Sequence, residues 1–249
     1  MSLALLFSPQ GSQAVGMGKE LADASPAARA AYAAADEALG WAVSAICWNG
    51  PGDRLNDTRQ TQPCLVATSL ACVAALREAC SDAGTSLFPA FAAGHSVGEY
   101  AALAAAERLL RDAGAKRLIR LRVSGPFHSP AMAPVGEALE RAFDTVAWSD
   151  ADPPIVSNVT GEPVHEATSI RALLARQVSS PVEWVASVER MVAQGVDTFV
   201  ECGPGAALSG MVRRIAPQAR ILNVTDSATL RDTVAALRVA VQAPTPAPA

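Results

Sequence analysis

Aromatic residues make up only 5% of the 249-residue chain, and histidine occurs three times. A core must therefore be filled by Ala, Val and Leu. Half of the residues are hydrophobic, enough to build a core of good size. No block of like charge interrupts a chain of net charge −4. That argues against a nucleic-acid footprint or a polybasic membrane patch, and toward a small or carrier-borne substrate. No C-x-x-C pair occurs among Cys47, Cys64, Cys72, Cys80 and Cys202, and their number is odd. Free, buried thiols in a reducing compartment are expected, which points to the cytoplasm. No cluster of His, Cys and carboxylates has metal-ligand spacing, and nothing in the sequence calls for a metal or a tightly bound cofactor. The apolar run at Leu3–Phe7 is too short for a signal peptide and has no basic stretch before it. No apolar run of membrane-spanning length is read from the sequence.

What is present alternates short apolar strands with amphipathic helices. Strands are expected at Leu3–Phe7, Ala90–Ala93, Arg117–Val123, Pro154–Asn158, Thr198–Cys202 and Ile221–Val224. Helices are expected at Gln62–Ala79, Val97–Ala106, Pro134–Phe143, Ser169–Gln177, Val182–Gln194, Ala206–Ile215 and Leu230–Val241. Strands separated by helices imply βαβ units and an α/β fold with a mostly parallel sheet. In such sheets ligands gather at the carboxyl ends of the strands. Three loops at those ends are rich in Gly and polar residues: 8–13, 94–98 and 203–205. The segment 243–249 is rich in Pro and Ala and reads as an extended tail, leaving 1–242 as the core.

Gly94-x-Ser96-x-Gly98 lies between an expected strand and an expected helix. That is the setting of a nucleophile elbow, in which glycines permit a sharp turn that lifts the serine oxygen above the sheet. The alternative is an ordinary βα turn in which Ser96 only caps a helix. A serine hydroxyl needs a base, and the candidates are His95, His128 and His165. His95 adjoins Ser96, so its side chain leaves the turn in another direction and packs at the rim of the pocket. His165 follows the turn sequence Thr160-Gly161-Glu162-Pro163 and reads as exposed. His128 falls in a loop after an expected strand, and elimination favours it as the base. A lone loop histidine with a structural role remains the competing reading.

Several segments carry a resemblance to one family. Phe7-Ser8-Pro9-Gln10-Gly11-Ser12-Gln13 is similar to an N-terminal F-P-G-Q-G-S-Q loop, and Thr61-Gln62-Pro63 to a T-Q-P helix start. Gly94-His95-Ser96-Val97-Gly98-Glu99-Tyr100 matches a G-H-S-x-G-E-Y elbow, and Phe127-His128-Ser129-Pro130 an F-H-S-P loop. Arg176-Gln177 with Pro181-Val182-Glu183-Trp184, and Glu201-Cys202-Gly203-Pro204-Gly205, complete the set. On these motifs the sequence resembles the malonyl-CoA:acyl-carrier-protein transacylases, related to the acyltransferase domains of polyketide synthases. The resemblance implies an α/β-hydrolase-like core and a ping-pong transfer of malonyl from malonyl-CoA to an acyl carrier protein, in fatty acid synthesis. It implies Ser96 as acyl carrier, His128 as base, the backbone carbonyl of Gln177 orienting the imidazole, and backbone N–H groups of Gln10 and Val97 as the oxyanion hole. His95 and Gln62 are taken as lining the substrate pocket. A monomer is expected.

The sequence also departs from that pattern. In the family a small ferredoxin-like subdomain follows the elbow helix and carries the arginine that binds the malonyl carboxylate. Here the elbow helix runs directly into Glu107-Arg108-Leu109-Leu110-Arg111, so the subdomain is expected to be absent, with a junction near 105–107. Arg108 and Arg111 read as a solvated helix face, and Arg120 and Arg122 as surface residues of a strand. A site without that subdomain is more open to water, which keeps a CoA thioesterase or hydrolase as an alternative. An inactive scaffold or binding module is the third reading. Pro9, standing where the family has Gly, restricts the backbone before Gln10.

Overall fold

The computed structural model describes residues 2–102, 127–128 and 130–242. Strand β1 (Leu3–Phe7) is followed by helices α1 (Lys19–Ala24), α2 (Pro26–Leu39), α3 (Val43–Asn49), α4 (Gly52–Asn56) and α5 (Thr58–Asp82). Strand β2 (Phe91–Gly94) leads into helix α6, described over residues 97–102. Then come α7 (Ala133–Phe143), β3 (Ile155–Val156), β4 (Pro163–Val164), α8 (Ala167–Gln177), α9 (Trp184–Ala193), β5 (Thr198–Cys202), α10 (Ala207–Ile215), β6 (Arg220–Val224) and α11 (Ser227–Gln242). The expected strand at Arg117–Val123, the junction at 105–107, Arg108, Arg111, Arg120, Arg122 and the tail at 243–249 lie outside the described residues.

The described strands form one sheet in the order β4-β3-β2-β1-β5-β6. The expected α/β class with a mostly parallel sheet is what the structure has: only β4 runs antiparallel, against β3. Strand alternation divides the core. Leu3, Leu5 and Phe7 join one apolar cluster with side chains of α2, α3, α5 and α11. Ala4 and Leu6 join another with Trp184, Val188 and Met191 of α9 and Leu208 and Val212 of α10. Covering both faces explains why β1 reads as a continuous apolar run. A third cluster packs Leu139 of α7, Leu174 of α8 and Ile155 of β3.

Few aromatics are needed because small residues carry the packing. Helix α2 lies against α5, and Ala28, Ala31, Ala67, Ala71 and Ala75 all sit in the cluster between them and the sheet. By length and composition α5 is apolar enough to cross a membrane, with mean hydropathy 1.4 over its most apolar stretch, which differs from the sequence reading. In the fold it is a core helix, and 61% of that stretch is buried. All five cysteines are free and buried.

Two further differences from expectation bear on the site. Helices α1–α4 were not anticipated: α1, α3 and α4 are only 5–7 residues long, and the alanines that fill α2 blunt its apolar contrast. The strand expected at Pro154–Asn158 is only Ile155–Val156. Its end peels away because Ser157 and Asn158 direct their N–H groups elsewhere, to Glu162 O at 3.0 Å and to the Glu99 carboxyl at 3.2 Å.

Parallel pairing aligns the ends of β1 and β2, with Phe7 opposite Gly94. The loops at 8–13 and 94–98 therefore leave the sheet side by side. The approach is close enough to require glycine. A Cβ on Gly98 would lie 2.1 Å from the Phe7 carbonyl oxygen, and one on Gly94 would lie 1.9 Å from the Gly98 carbonyl carbon. Gly98→Ala is thus expected to cost about 3 kcal/mol of stability. Gly210→Ala, inside α10 with no atom within 4 Å of the added Cβ, is expected to gain about 0.5–1 kcal/mol. Opposite shifts in the urea unfolding midpoint would report both.

Candidate active site

Strand β2 ends at Gly94, and α6 begins at Val97. The turn between them puts Ser96 in the left-handed region, at φ 57°. A non-glycine residue there costs about 1–2 kcal/mol, so other contacts must hold it. Asn158, fully buried, clamps the turn. Its Oδ1 accepts from Ser96 N at 2.8 Å, and its Nδ2 donates to Gly94 O at 2.7 Å. Gly98 N and Glu99 N close the turn onto His95 O and Ser96 O at 3.1 and 3.0 Å.

His128 is the other non-glycine residue at positive φ among the described residues, at 62°. Its N–H donates to Val178 O at 2.7 Å. Its Nδ1 lies 2.9 Å from Gln177 O, and its Nε2 lies 2.8 Å from Ser96 Oγ. A carbonyl can only accept, so Nδ1 carries the proton. That leaves the Nε2 lone pair facing the serine hydroxyl, the arrangement of a nucleophile and its base. Gln177 is the last residue of α8, and the final carbonyls of a helix lack intrahelical partners. The helix end is negative, so carbonyl and helix terminus both turn negative potential toward the ring. Together they occupy the position that a carboxylate takes in a Ser-His-Asp triad.

Val97 is the first residue of α6, so its N–H is free of intrahelical bonds and lies next to Ser96. Gln10 lies in the neighbouring loop after β1. Its side chain donates to Thr58 Oγ1 at 3.2 Å and accepts from Gln62 Nε2 at 3.4 Å. That loop is anchored by Ser8, which donates to the buried Glu201 carboxylate at 3.3 Å. Glu201 also accepts from Leu208 N, Ser209 N, Ser209 Oγ and Asn223 Nδ2 at 2.7–3.3 Å. It thereby ties β1 to β5, β6 and the start of α10. Gly203 fits here because a Cβ would lie 2.6 Å from Ser8 Oγ.

His95 turns away from the Ser96–His128 contact. Its ring meets Trp184 edge-on at 5.6 Å. Burial, and secondarily the nearby His128, hold it below the ordinary histidine range. His165 is exposed, with Nδ1 3.1 Å from Ala151 O. The structure therefore brings together Ser96, His128 and Gln177 O, sets Gln10 and Gln62 in contact, and leaves His165 apart. Asn158, Glu99 and Glu201 had not been singled out. Asn158 had one signal, a polar residue at the carboxyl end of an expected strand. Glu99 and Glu201 stood inside quoted motifs without an assigned task.

Glu99 is buried, and desolvation pushes its carboxyl up to about 8, although hydrogen bonds from Gln177 and Asn158 oppose the shift. Its oxygen Oε2 accepts from Gln177 Nε2, which also reaches Ser96 O at 3.3 Å.

Comparison with known proteins agrees with this architecture. The family described as acyl transferase domain matches residues 4–122. The malonyl CoA-acyl carrier protein transacylase of Bacillus subtilis is 30% identical over 314 aligned positions, covering 95% of this chain and 97% of that protein. The chain belongs to the malonyl CoA-acyl carrier protein transacylase family. The acyl-carrier-protein S-malonyltransferase of Burkholderia pseudomallei superposes with TM-score 0.82 at 27% identity, covering 94% of this chain and all of that one. A malonyl-transacylase solved in complex with its type II PKS acyl-carrier protein gives TM-score 0.81 at 27% identity, over 95% of this chain and all of that one. The alignment with the Bacillus protein spans 314 positions, more than the 249 residues of this chain, so that relative carries stretches without a counterpart here.

Two stability outcomes follow from the buried carboxyls. Every Glu201 oxygen faces at least two donors. Glu201→Gln sets an NH2 group against them and is expected to cost about 3 kcal/mol in urea unfolding. For Glu99 the folded value of about 8 exceeds the ordinary 4.5. Between those values the folded state binds the extra proton. The resulting stability is complete below pH 4.5 and is lost as pH rises toward 8. Each unit of that gap is worth about 1.4 kcal/mol. The urea midpoint of the native chain should therefore fall between pH 5 and 8 relative to that of Glu99→Gln.

Proposed function

We propose that this chain moves a malonyl group from malonyl-CoA to the phosphopantetheine thiol of an acyl carrier protein, through an acyl-Ser96 intermediate, in cytoplasmic fatty acid synthesis. The observation that carries this reading is the line from Gln177 O through the His128 imidazole to Ser96 Oγ, at 2.9 and 2.8 Å. Family membership supplies the acyl group and the two thiols.

In the first half-reaction Ser96 Oγ attacks the thioester carbonyl and its proton passes to His128 Nε2. The negative charge that develops on the carbonyl oxygen is met by the N–H groups of Gln10 and Val97, fixed donors that need no rearrangement. The C–S bond breaks, and CoA leaves with the proton returned by His128. In the second half the pantetheine thiol gives its proton to His128 and attacks the acyl-serine. The C–O bond breaks and Ser96 regains its proton. The acyl group changes carriers without net oxidation or hydrolysis. Gln62 and His95 border this space, and neutral His95 suits a wall better than a second base.

The test is intact mass spectrometry after mixing with malonyl-CoA or acetyl-CoA. A malonyl adduct is expected that disappears on addition of holo acyl carrier protein and does not form in Ser96→Ala. His128→Ala should acylate about 10²–10⁴-fold more slowly. Release of CoA without an adduct would mark a hydrolase. Neither adduct nor CoA release would sink the enzymatic reading. Equal acetyl and malonyl labelling would overturn the choice of malonyl.

A further inference from the structure

Glu99 follows the Ser96 turn and donates its N–H to Ser96 O at 3.0 Å, while its carboxyl bonds to other residues than Ser96 and His128. It is 2% exposed. Its oxygen Oε2 receives two donors that come from different parts of the fold. One is Asn158 N, at 3.2 Å from the segment after β3, and the other is Gln177 Nε2 at the end of α8. Each donor residue has a second task. The Asn158 carboxamide spans the Ser96 turn, from Ser96 N to Gly94 O. The Gln177 side chain reaches Ser96 O, and its main-chain carbonyl meets His128 Nδ1. Turn, imidazole and helix end therefore share one acceptor.

We propose that Glu99 is a positioning residue, whose single oxygen Oε2 locks Asn158 against the Ser96 turn and Gln177 against His128, fixing the separation of nucleophile and base. The inference rests on the reading of Ser96 as nucleophile and His128 as its base. The role asks for an acceptor and not for a charge. The hydrogen bonds recorded for Glu99 among the described residues come from an amide N–H and a carboxamide, with no cation among them. Burial independently favours the uncharged acid. A glutamine presents an equivalent carbonyl oxygen at the same reach, so it should serve in place of the acid. An alanine offers no acceptor and leaves the amide and carboxamide donors unmatched.

The experiment compares the native chain with Glu99→Ala, Glu99→Gln and Gln177→Ala. The readouts are kcat and KM for malonyl-CoA, and the rate at which a fluorophosphonate labels Ser96. The label reports the activated serine whatever acyl group the enzyme takes. In Glu99→Ala, kcat and labelling should each fall about 100-fold. KM should stay within about threefold, since the change does not reach the substrate. Glu99→Gln should recover both rates to within about fivefold of the native chain. The proton signal of His128 Nδ1–H should move or broaden in Glu99→Ala and return in Glu99→Gln. Should Glu99→Ala fail to fold, Gln177→Ala cuts the same link from its other end, keeps the main-chain carbonyl, and is read in the same way. Native-like rates in folded Glu99→Ala, or in Gln177→Ala where the first does not fold, would overturn the proposal. So would a Glu99→Gln as slow as Glu99→Ala. A native chain labelled by the fluorophosphonate but not acylated by malonyl-CoA would remove the malonyl reading alone, and the labelling series would still decide the role of Glu99. A native chain inert to both reagents would overturn the two together.

Discussion

Two helix ends of opposite polarity face each other across the His128 imidazole and its two hydrogen bonds, and the rest of the structure serves to keep them there. The positive end of α6 carries Ser96 at its base, and the negative end of α8 presents Gln177 O to His128. In the proposed attack of the serine on a carbonyl, negative charge grows on oxygen and positive charge on the imidazole. Each charge then lies beside the helix end that favours it. In the mechanism proposed for this chain, a carbonyl dipole and a helix terminus do the orienting and stabilising work of a triad carboxylate, without burying a second full charge next to the histidine.

Holding those ends in register demands strain and close packing. Ser96 and His128 are the two non-glycine residues with left-handed backbone among those described, and each is held by bonds that a relaxed conformer would lose. Asn158 restrains the first, and Val178 O restrains the second. Behind them the sheet is buried on both faces, so the strand ends cannot drift. Glu201 extends the same restraint to the loop after β1 through Ser8. Local conformational cost at the site is offset by the stiffness of its surroundings.

The parallel sheet and most of its helices were legible because apolar runs and amphipathic periods are local properties. The three glycine-rich loops could be placed at strand ends for the same reason. The elbow setting singled out Ser96, elimination favoured His128, and motif resemblance added Gln177; the hydrogen-bonded line runs through those three residues. Asn158 escaped notice because its task depends on a strand that ends early. The early ending is set by Glu99, far away in sequence. Glu201 escaped because a carboxylate inside an apolar strand has no local signature; its five donors come from three other parts of the fold. Helix α5 was underrated in the opposite sense. Its apolar stretch is long, but tertiary packing makes it a core element.

Such a site leaves a thin record in its own side chains. The groups proposed to stabilise charge, apart from the serine and the imidazole, are main-chain atoms: two N–H groups and one carbonyl. Replacing a side chain cannot delete them. A saturation mutagenesis map would therefore show direct loss of chemistry at two positions and indirect sensitivity elsewhere, at Glu99 and at glycines such as Gly94 and Gly98 whose hydrogen keeps the main chain close. The chemistry would look sparser in such a map than it is in space, and pocket residues could diverge widely while the reacting frame stayed the same.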